Sequence, residues 1–398
     1  MTSHLKDHYD VIIAGAGPAG SSAAIQLAQH SLSVLLIEQK RFPRPKLCGE
    51  FISPECFSHF ERLGVSEPMI RSNPATLRST VFYSSRGHRV SVPSSWFGGG
   101  LALGLSRATM DNNLFVRAQA VGVDVLEEAV VTDVIEEQNR IQGVRVKTSE
   151  EDRDYEARLT IDATGRPRIL TRRLQPNHRS RKPPFVAFKT HLSGALPEEN
   201  VCEIYSYPGG YGGLNTIENG LSNLCFIVSA RDVRRFNSDA DTVMNETVMR
   251  NRRAACALSS ARRHSEWLSV SLESFGFSDP APKPGLIAIG DAASFIDPFT
   301  GSGMLMALES GELAAAVAVD HFKNHSSIVE MRNDYLKEYH RKFSSRFRVS
   351  SLLRRTAFNP RLAEMTIIAC SLNTWLRNQL ARATRSRVDG TQSTVSMS

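Results

Sequence analysis

The chain has 398 residues, of which 41% are hydrophobic and 22% are charged, and its formal net charge is +7. This length and composition predict a large buried core shared by two or three domains. No run approaches the about 18 apolar residues of a membrane span, which excludes an integral membrane protein. The polar start MTSHLKDHYD predicts a cytoplasmic protein without a secretory signal.

The first predicted elements are a strand, a helix and a second strand. Tyr9–Ala14 is a short apolar run before a glycine, which is typical of a buried parallel strand. Pro18–His30 is rich in small residues and predicts a helix, and Ser33–Glu38 predicts the next strand. Together they have the length of a βαβ unit, whose crossover is right-handed.

The turn between this strand and helix reads Gly15-Ala16-Gly17-Pro18-Ala19-Gly20 and fits G-x-G-x-x-G. We expect Gly15 to make the tight turn, Gly17 to admit a pyrophosphate and Gly20 to let the helix pack closely. The helix start then offers N–H groups and a positive dipole end to phosphates. Glu38, at the end of the second strand, is placed to accept hydrogen bonds from ribose hydroxyls and to repel the extra phosphate of NADP. These features predict a dinucleotide site without distinguishing FAD from NAD.

A Pro- and Arg-rich loop, Arg41–Lys46, follows and leads into the segment CGEFISPE. Beyond it, the periodicity predicts two helices and several strands. In chain order these segments are Glu55–Leu63 (helix), Arg78–Val92 (strands), Ser106–Ala120 (helix), Val123–Gln138, Gly143–Thr148 and Leu159–Ala163 (strands).

The next part of the chain predicts a second, inserted sheet. Phe185–Val228 is strand-like, with a break at Pro208-Gly209-Gly210 and a predicted hairpin turn at Asn219-Gly220. Four of its aromatic side chains either line a pocket or fill the core: Tyr205, Tyr207, Tyr211 and Phe226. The remaining predicted elements are a charged helical segment, Asp232–Ser265, a strand, Gly285–Ile289, a helix, Gly303–Phe322, and further helices to about Arg385.

A second candidate ligand segment, IAIGDAASFIDPFTGSG, runs from Ile287 to Gly303. Asp291 follows a strand and a glycine, which places its carboxylate at the carboxyl end of a strand, where ligands of open α/β sheets bind. Gly301 and Gly303 leave room for a flat ring against the backbone, with the helix start facing its pyrimidine edge. The alternative is a surface loop before a helix, and the small residues favour the flavin.

Several of these motifs resemble the FAD-dependent aromatic-hydroxylase superfamily over about the first 320 residues. They are the glycine fingerprint, Glu38, Arg107 with Asp111, Asp162-Ala163-Thr164-Gly165 and Gly290-Asp291. PRPKLCGEFISP and DPFTGSGMLMALESGELAA are most similar to the geranylgeranyl-reductase-like branch, and the flavin halogenases share Gly49-Glu50 with a proline soon after.

The resemblance implies where each part of an FAD would bind. Glu38 would hold the adenosine ribose, Arg107 would lie near the pyrophosphate and adenosine, and Asp291 would hold the ribityl and pyrophosphate portion. Gly301, Gly303 and Met304 would contact the isoalloxazine. The complete predicted cofactor-binding set is Gly15, Gly17, Pro18, Ala19, Gly20, Glu38, Cys48, Gly49, Arg107, Val130, Asp291, Gly301, Gly303 and Met304.

Three departures from these families bear on the reaction. The superfamily usually has Asp-Gly where this chain has Thr164-Gly165, a change that a backbone contact tolerates. Geranylgeranyl reductases tend to carry an aromatic residue and a Phe-Pro pair after a Tyr-Gly, but here Tyr211-Gly212 is followed by Gly213-Leu214-Asn215-Thr216. This difference argues against isoprenoid reduction, and the absence of the halogenase W-x-W-x-I-P motif argues against halogenation.

The spacing of polar residues assigns no catalytic group. Cys48 is expected near the isoalloxazine, as a proton donor or simply packed on the ring, and Glu50 is either an acid/base or a cap for the helix after Pro54. His191 and the other histidines are scattered and are expected at the surface. The six cysteines match no zinc spacing, which predicts free thiols and no metal.

The elements predict an α/β fold with an FAD-binding Rossmann-type domain, an inserted antiparallel-sheet substrate domain and a helical C-terminus. The predicted limits are 1–78, 101–170 and 281–320 for the FAD-binding domain, 79–100 and 171–280 for the substrate domain, 321–385 for the C-terminal helices, and 386–398 for a disordered tail.

Positive charge is concentrated in two segments. From His340 onward, eleven Arg and Lys face only Glu364 and Asp389, and Arg166–Lys182 holds seven basic residues and no acid. No nucleic-acid-binding motif accompanies them, so we expect no nucleic-acid partner. The C-terminal segment is either a solvated basic face or a peripheral contact with an anionic membrane.

We therefore expect an FAD-dependent oxidoreductase, a monooxygenase or hydroxylase for a hydrophobic aromatic, polyketide or isoprenoid-like small molecule. Because the chain has one dinucleotide fingerprint, NAD(P)H would donate electrons by transient contact. The alternatives are geranylgeranyl-reductase-like reduction of a lipid double bond, a flavin-bound protein without turnover, and an NAD-only dehydrogenase.

Overall fold

The computed structural model describes residues 5–98, 100–174, 184–272 and 275–383. The predicted tail, 386–398, and residues 175–182 of the internal basic segment lie outside this part of the chain. Two large sheets organise what is described.

The first of them, here called the cofactor sheet, has seven strands. Its central strand, His8–Ala14, pairs in parallel with Val34–Ile37 on one side and with Asp152–Asp162 on the other. Val11–Ala14 are buried because side chains cover both faces of the sheet. The strand order is Asp124–Leu126, Val34–Ile37, His8–Ala14, Asp152–Asp162, Arg140–Lys147 and Val130–Glu137, with Leu286–Ala288 paired to Asp152–Asp162.

Three parallel strands of this sheet end side by side. Ala14 is in register with Asp162, which is in register with Ala288. The chain continues from these strands into the glycine fingerprint, into Ala163-Thr164-Gly165 and into Gly290-Asp291. The fold therefore brings three motifs from distant parts of the sequence to one edge, as the resemblance implied.

Two long helices pack against each other behind that edge. Pro18–Gln29 begins with proline at its first turn and has Gly17 as its N-cap, without a side-chain cap. It lies against Gly303–Lys323, where a Cβ on Gly311 would come within 2.4 Å of the Ala19 carbonyl oxygen. Gly311 is thus required by close helix contact. The other α-helices are Cys56–Leu63, Ser66–Arg71, Arg107–Ala120, Ile169–Arg173, Ala230–Arg235, Ala240–Thr247, Arg252–Ala257, Ile328–Ala357, Pro360–Leu372 and Thr374–Ala383.

The second sheet has eight strands and is antiparallel except where Val201–Tyr207 pairs with Ser79–Tyr83. Its order is Arg262–Arg263, Phe185–Ser193, Ser222–Ser229, Gly210–Thr216, Val201–Tyr207, Ser79–Tyr83 and Arg89–Pro93, with Leu268–Leu272 beside Phe185–Ser193. The predicted hairpin turn is present, and Asn219 and Gly220 both have positive φ, 60° and 69°. Smaller sheets join Phe51–Ile52 and Ala75–Leu77 to Ala102–Gly104, and Gly276–Phe277 to Ser294–Phe295.

The prediction of a helical segment over Asp232–Ser265 was wrong in detail. The structure has three short helices there, separated by turns, and the strand Arg262–Arg263. Asp239 and Asn251 accept hydrogen bonds as caps of the second and third helices. These capping side chains restart the helix instead of continuing it, because they satisfy the backbone N–H groups of each new first turn.

Candidate functional site

A cavity of about 510 Å³ lies between the carboxyl edge of the cofactor sheet, the second sheet and the C-terminal helices. It brings together nearly all of the predicted cofactor-binding residues, although they come from positions throughout the chain. Its walls include Gly15, Gly17, Pro18, Ala19, Glu38, Cys48, Gly49, Arg107, Val130, Asp291, Gly301, Gly303 and Met304. Gly20 is the member of the set that does not line it.

The glycines at this edge are of two kinds. A Cβ on Gly20 would come within 1.9 Å of the Gly15 carbonyl oxygen, and one on Gly15, with φ +106°, within 2.4 Å of the Ala163 carbonyl oxygen. A Cβ on Gly17 or Gly303 would meet its nearest protein atom only at 4.0 Å, and one on Gly49 would meet none within 4 Å. Gly15 and Gly20 are therefore needed by the fold, whereas the others keep backbone open toward the cavity.

A buried chain of alternating charges crosses the adenosine side of the cavity predicted from the sequence. Arg44 Nη2 lies 3.1 Å from Glu38 Oε2, and Arg44 Nη1 lies 3.0 Å from Asp111 Oδ2. Asp111 also receives both Nε and Nη2 of Arg107, each at 2.7 Å. Sequence reasoning missed Arg44, although it lies in the basic loop that was singled out.

Glu38 is already engaged by the protein. Its Oε2 accepts the Ala16 N–H at 3.1 Å as well as Arg44, and its Oε1 accepts the Lys40 N–H at 3.1 Å. A carboxylate accepts about four hydrogen bonds, so about one position is left for a ligand. Binding of the ribose by Glu38 stays a prediction, with room for one hydroxyl.

Asp291 is a buried acid directed at the cavity. Among the described residues no group hydrogen-bonds its carboxylate, and burial raises the pKa of Asp291 against the opposing charges of Arg166, Arg107 and Lys46. Burial also lowers the pKa of Lys46 and of Arg166. An acceptor without a donor beside buried cations fits a ligand that carries both hydroxyls and phosphates. Together with the open glycines, this arrangement fits FAD.

Glu50 is held in a network that neither sequence interpretation described. Lys189 Nζ lies 2.5 Å from its Oε1, His191 Nε2 lies 2.7 Å from its Oε2, and the Arg107 N–H donates to Oε1 at 2.8 Å. Burial alone raises the pKa of Glu50, but the hydrogen bond from His191 and the charge of Lys189 hold it below its ordinary value. Glu50 is thus a buried carboxylate that fixes the Cys48–Glu50 segment against the second sheet.

Two expectations about these residues were wrong. Glu50 does not cap the helix Cys56–Leu63, whose N-cap position is Glu55. His191 is not a free surface residue, because its side chain is only 16% exposed and contacts Glu50. The available signal was two basic residues, Lys189 and His191, at alternate positions of an otherwise apolar strand, which share one face.

Two thiols and a phenol lie at the junction between the polar and apolar parts of the cavity. Cys48 accepts the Glu50 N–H at 3.5 Å, and its carbonyl oxygen accepts from Asn223 Nδ2 at 3.2 Å. Burial raises the pKa of the Cys225 thiol to about 12. The Tyr211 hydroxyl donates to Asp297 Oδ1 at 2.6 Å, and burial holds its pKa well above the ordinary value. Tyr205, Tyr207 and Phe226 belong to the core of the second sheet.

The far part of the cavity is apolar. The second sheet contributes Phe82, Val90, Ala187, Ile204 and Ile227, and the last two helices contribute Ala363, Ile367, Cys370, Leu380 and Ala381. A space walled by such side chains, adjoining a polar half, suits a ligand with one charged and one hydrocarbon portion.

Comparison with known proteins gives one family and several relatives. The model of a family described as "FAD binding domain" matches residues 8–315. Digeranylgeranylglycerophospholipid reductase of Methanosarcina mazei is 27% identical over 343 residues, which cover 84% of this chain and 81% of that protein.

Solved structures also resemble this chain. A geranylgeranyl bacteriochlorophyll reductase-like protein from Thermoplasma acidophilum has a TM-score of 0.73 and 21% identity, covering 95% of this chain and 92% of that chain. The myxobacterial chondrochloren halogenase CndH has a TM-score of 0.76 and 24% identity, covering 84% and 80%. At these identities the likeness shows a shared fold.

Proposed function

Since this chain belongs to the FAD binding domain family and is an FAD-binding oxidoreductase, we propose that it reduces a carbon–carbon double bond of an isoprenoid-like lipid with NAD(P)H as electron donor. Support comes from the apolar half of the cavity and from the name of the M. mazei relative, a digeranylgeranylglycerophospholipid reductase. When bound, FAD supplies the hydride chemistry between NAD(P)H and the substrate.

The observation that carries this proposal is Cys48 at the junction of the two halves of the cavity. Reduction of a double bond adds a hydride to one carbon and a proton to the other, so an acid is needed near the flavin. Glu50 is paired with Lys189 and His191, and Tyr211 donates to Asp297. The Cys48 thiol, which accepts the Glu50 N–H, keeps its own proton for donation.

The remaining residues of the site bind, orient and exclude water. Lys46, Arg107 and Arg166 offer positive charge to phosphates, Asp291 accepts hydroxyls, and the open backbone at Gly49 and Gly303 lets a flat ring approach. The apolar side chains of the last two helices would cover the hydrocarbon portion of the substrate and keep water from it.

The test combines flavin reduction with product mass. NADH or NADPH should bleach the absorbance of the FAD-loaded protein without oxygen, and an isoprenoid lipid should then gain two hydrogens. Cys48→Ser should leave bleaching unchanged and slow product formation by about 100-fold or more, as loss of a proton donor does. Cys225→Ser, at the other cavity thiol, is the matched control. Full product formation by Cys48→Ser would exclude this donor, and failure to bleach with both nucleotides would refute the proposed donor.

Hydroxylation, the first expectation from the sequence, is the second candidate. One observation favours it: Tyr211-Gly212 is followed by Gly213 and Leu214, without the aromatic residue and Phe-Pro pair of geranylgeranyl reductases. The same product analysis decides between the two, since hydroxylation in air adds one oxygen and double-bond reduction adds two hydrogens.

A further inference from the structure

Exposed apolar side chains are concentrated on the last helices that the structure describes. Leu372 is 83% exposed and Trp375 is 70% exposed, more than any other large apolar side chain among the described residues. Leu352, Leu362 and Met365 are exposed as well. These five residues are called the C-terminal surface below. Side chains of this size remain exposed together where a surface meets a partner.

The helix Pro360–Leu372 is apolar on two opposite faces. Ala363, Ile367 and Cys370 are buried and line the cavity. Leu362, Met365 and Leu372 recur at helical spacing within about a quarter of the helix circumference and lie on the exposed face. A helix that is apolar all round is normally covered on all sides. This one is covered by protein on one side only.

The charge around the C-terminal surface is positive. Glu364 is the sole acid in the sequence from 341 to 383, and it is buried near Arg86 and His88, with carboxylate distances of 3.3 and 3.5 Å. Arg348, Arg361 and Arg382 are exposed in the same segment. Apolar side chains, a tryptophan and surrounding arginines are the combination that binds the interface of an anionic bilayer.

No helix in the described ranges is both long and apolar enough to cross a membrane. The candidate contact is therefore one made from the side. We propose that the C-terminal surface docks onto an anionic lipid bilayer, with Leu372 and Trp375 entering the headgroup region. Since the opposite face of Pro360–Leu372 lines the cavity, docking places the apolar half of the cavity next to the leaflet. This inference goes beyond the proposed reaction, and its test requires no turnover.

The experiment is sedimentation of the full chain with vesicles of phosphatidylcholine alone or mixed with phosphatidylglycerol. We expect binding to the mixed vesicles that weakens as salt rises, and much weaker binding to phosphatidylcholine alone. Leu372→Asp with Trp375→Asp should reduce binding by at least about tenfold. Arg361→Gln should reduce it by about fivefold, the contribution of one cation near an anionic surface.

The control variants are Ile70→Asp and Leu196→Asp, which change apolar residues 61% and 55% exposed elsewhere on the molecule. They should bind like the unchanged protein. Equal binding by the Leu372/Trp375 variant would overturn the proposal, as would a vesicle-free dimer that this variant dissolves. Vesicle binding by a protein that NAD(P)H does not bleach would leave this inference standing while refuting the proposed electron donor.

Discussion

The imidazole Nε2 of His191 lies 2.7 Å from Oε2 of Glu50, although the two residues are 141 positions apart in the sequence. Lys189, on the same strand, reaches the other oxygen of the same carboxylate. This pair of contacts joins the second sheet to the segment that carries Cys48, so the two sides of the cavity are held in register by buried charges.

Removal of the Glu50 charge should destabilise the protein strongly. Glu50→Gln leaves the ammonium of Lys189, which is 2% exposed, without its counter-ion. The expected loss in the free energy of unfolding is about 3–5 kcal/mol, measured by denaturant titration. Adding Lys189→Met to Glu50→Gln should restore part of that loss, because no unpaired charge then remains. Equal or greater destabilisation of the double variant would contradict this account.

The same carboxylate predicts a pH dependence of stability. The folded-state pKa of Glu50 is below its ordinary value of 4.5, because of His191 and Lys189 and despite burial. Its stabilising contribution is therefore complete above the unfolded-state pKa and is lost as pH falls through the lower folded-state value. Unfolding free energies measured from neutral to acidic pH should fall more steeply for the unchanged protein than for Glu50→Gln. Parallel curves would show that Glu50 carries no such linkage.

Two glycines of the fingerprint should respond to alanine in opposite ways. Gly17→Ala adds a methyl group into open space at an ordinary φ of −71°. It should change the unfolding free energy of the FAD-free protein by less than about 0.5 kcal/mol, yet raise the Kd for FAD at least about tenfold. Gly20→Ala drives a Cβ into the Gly15 carbonyl and should lower stability itself. Denaturant titration and flavin fluorescence separate the two effects, and unchanged FAD affinity of Gly17→Ala would refute the assigned role.

Asp291→Asn should stabilise the FAD-free protein while weakening FAD binding. Burial raises the pKa of Asp291, so the folded protein near neutral pH bears the cost of an ionised acid without hydrogen-bond partners. The amide removes that cost but accepts fewer hydrogen bonds from ligand hydroxyls. Thermal unfolding without FAD and titration with FAD measure the two changes. If both stability and affinity fall, Asp291 has a structural role instead.

The parts of this fold that the sequence predicted are those that local pattern determines. The strand Tyr9–Ala14, the glycine turn and the helix after Pro18 are specified within a few residues, and the structure has a strand at His8–Ala14 and a helix at Pro18–Gln29. Asp291 was identified because it follows a short apolar strand. In each case the residue's neighbours in sequence are also its neighbours in space.

The residues missed from the sequence depend on long-range contacts. Lys189 lies in the strand FVAFKTHLS, where a charge among apolar residues normally faces water, and its counter-ion lies 139 positions away. Arg44 bridges Glu38 to Asp111, 67 positions further on. Neither partner can be identified without the register between distant segments. The three short helices between Ala230 and Ala257 were merged for another reason, since caps at Asp239 and Asn251 are common residue types within helices.

The order of strands in the cofactor sheet has a consequence for synthesis in the cell. His8–Ala14 emerges from the ribosome early, but its neighbour Asp152–Asp162 and then Leu286–Ala288 follow only after most of the chain has been made. At about 5–20 residues per second, the first strand waits many seconds for its partners. A nascent chain therefore exposes an unpaired apolar edge for that time, and flavin can be captured firmly only once translation has passed the second half of the message.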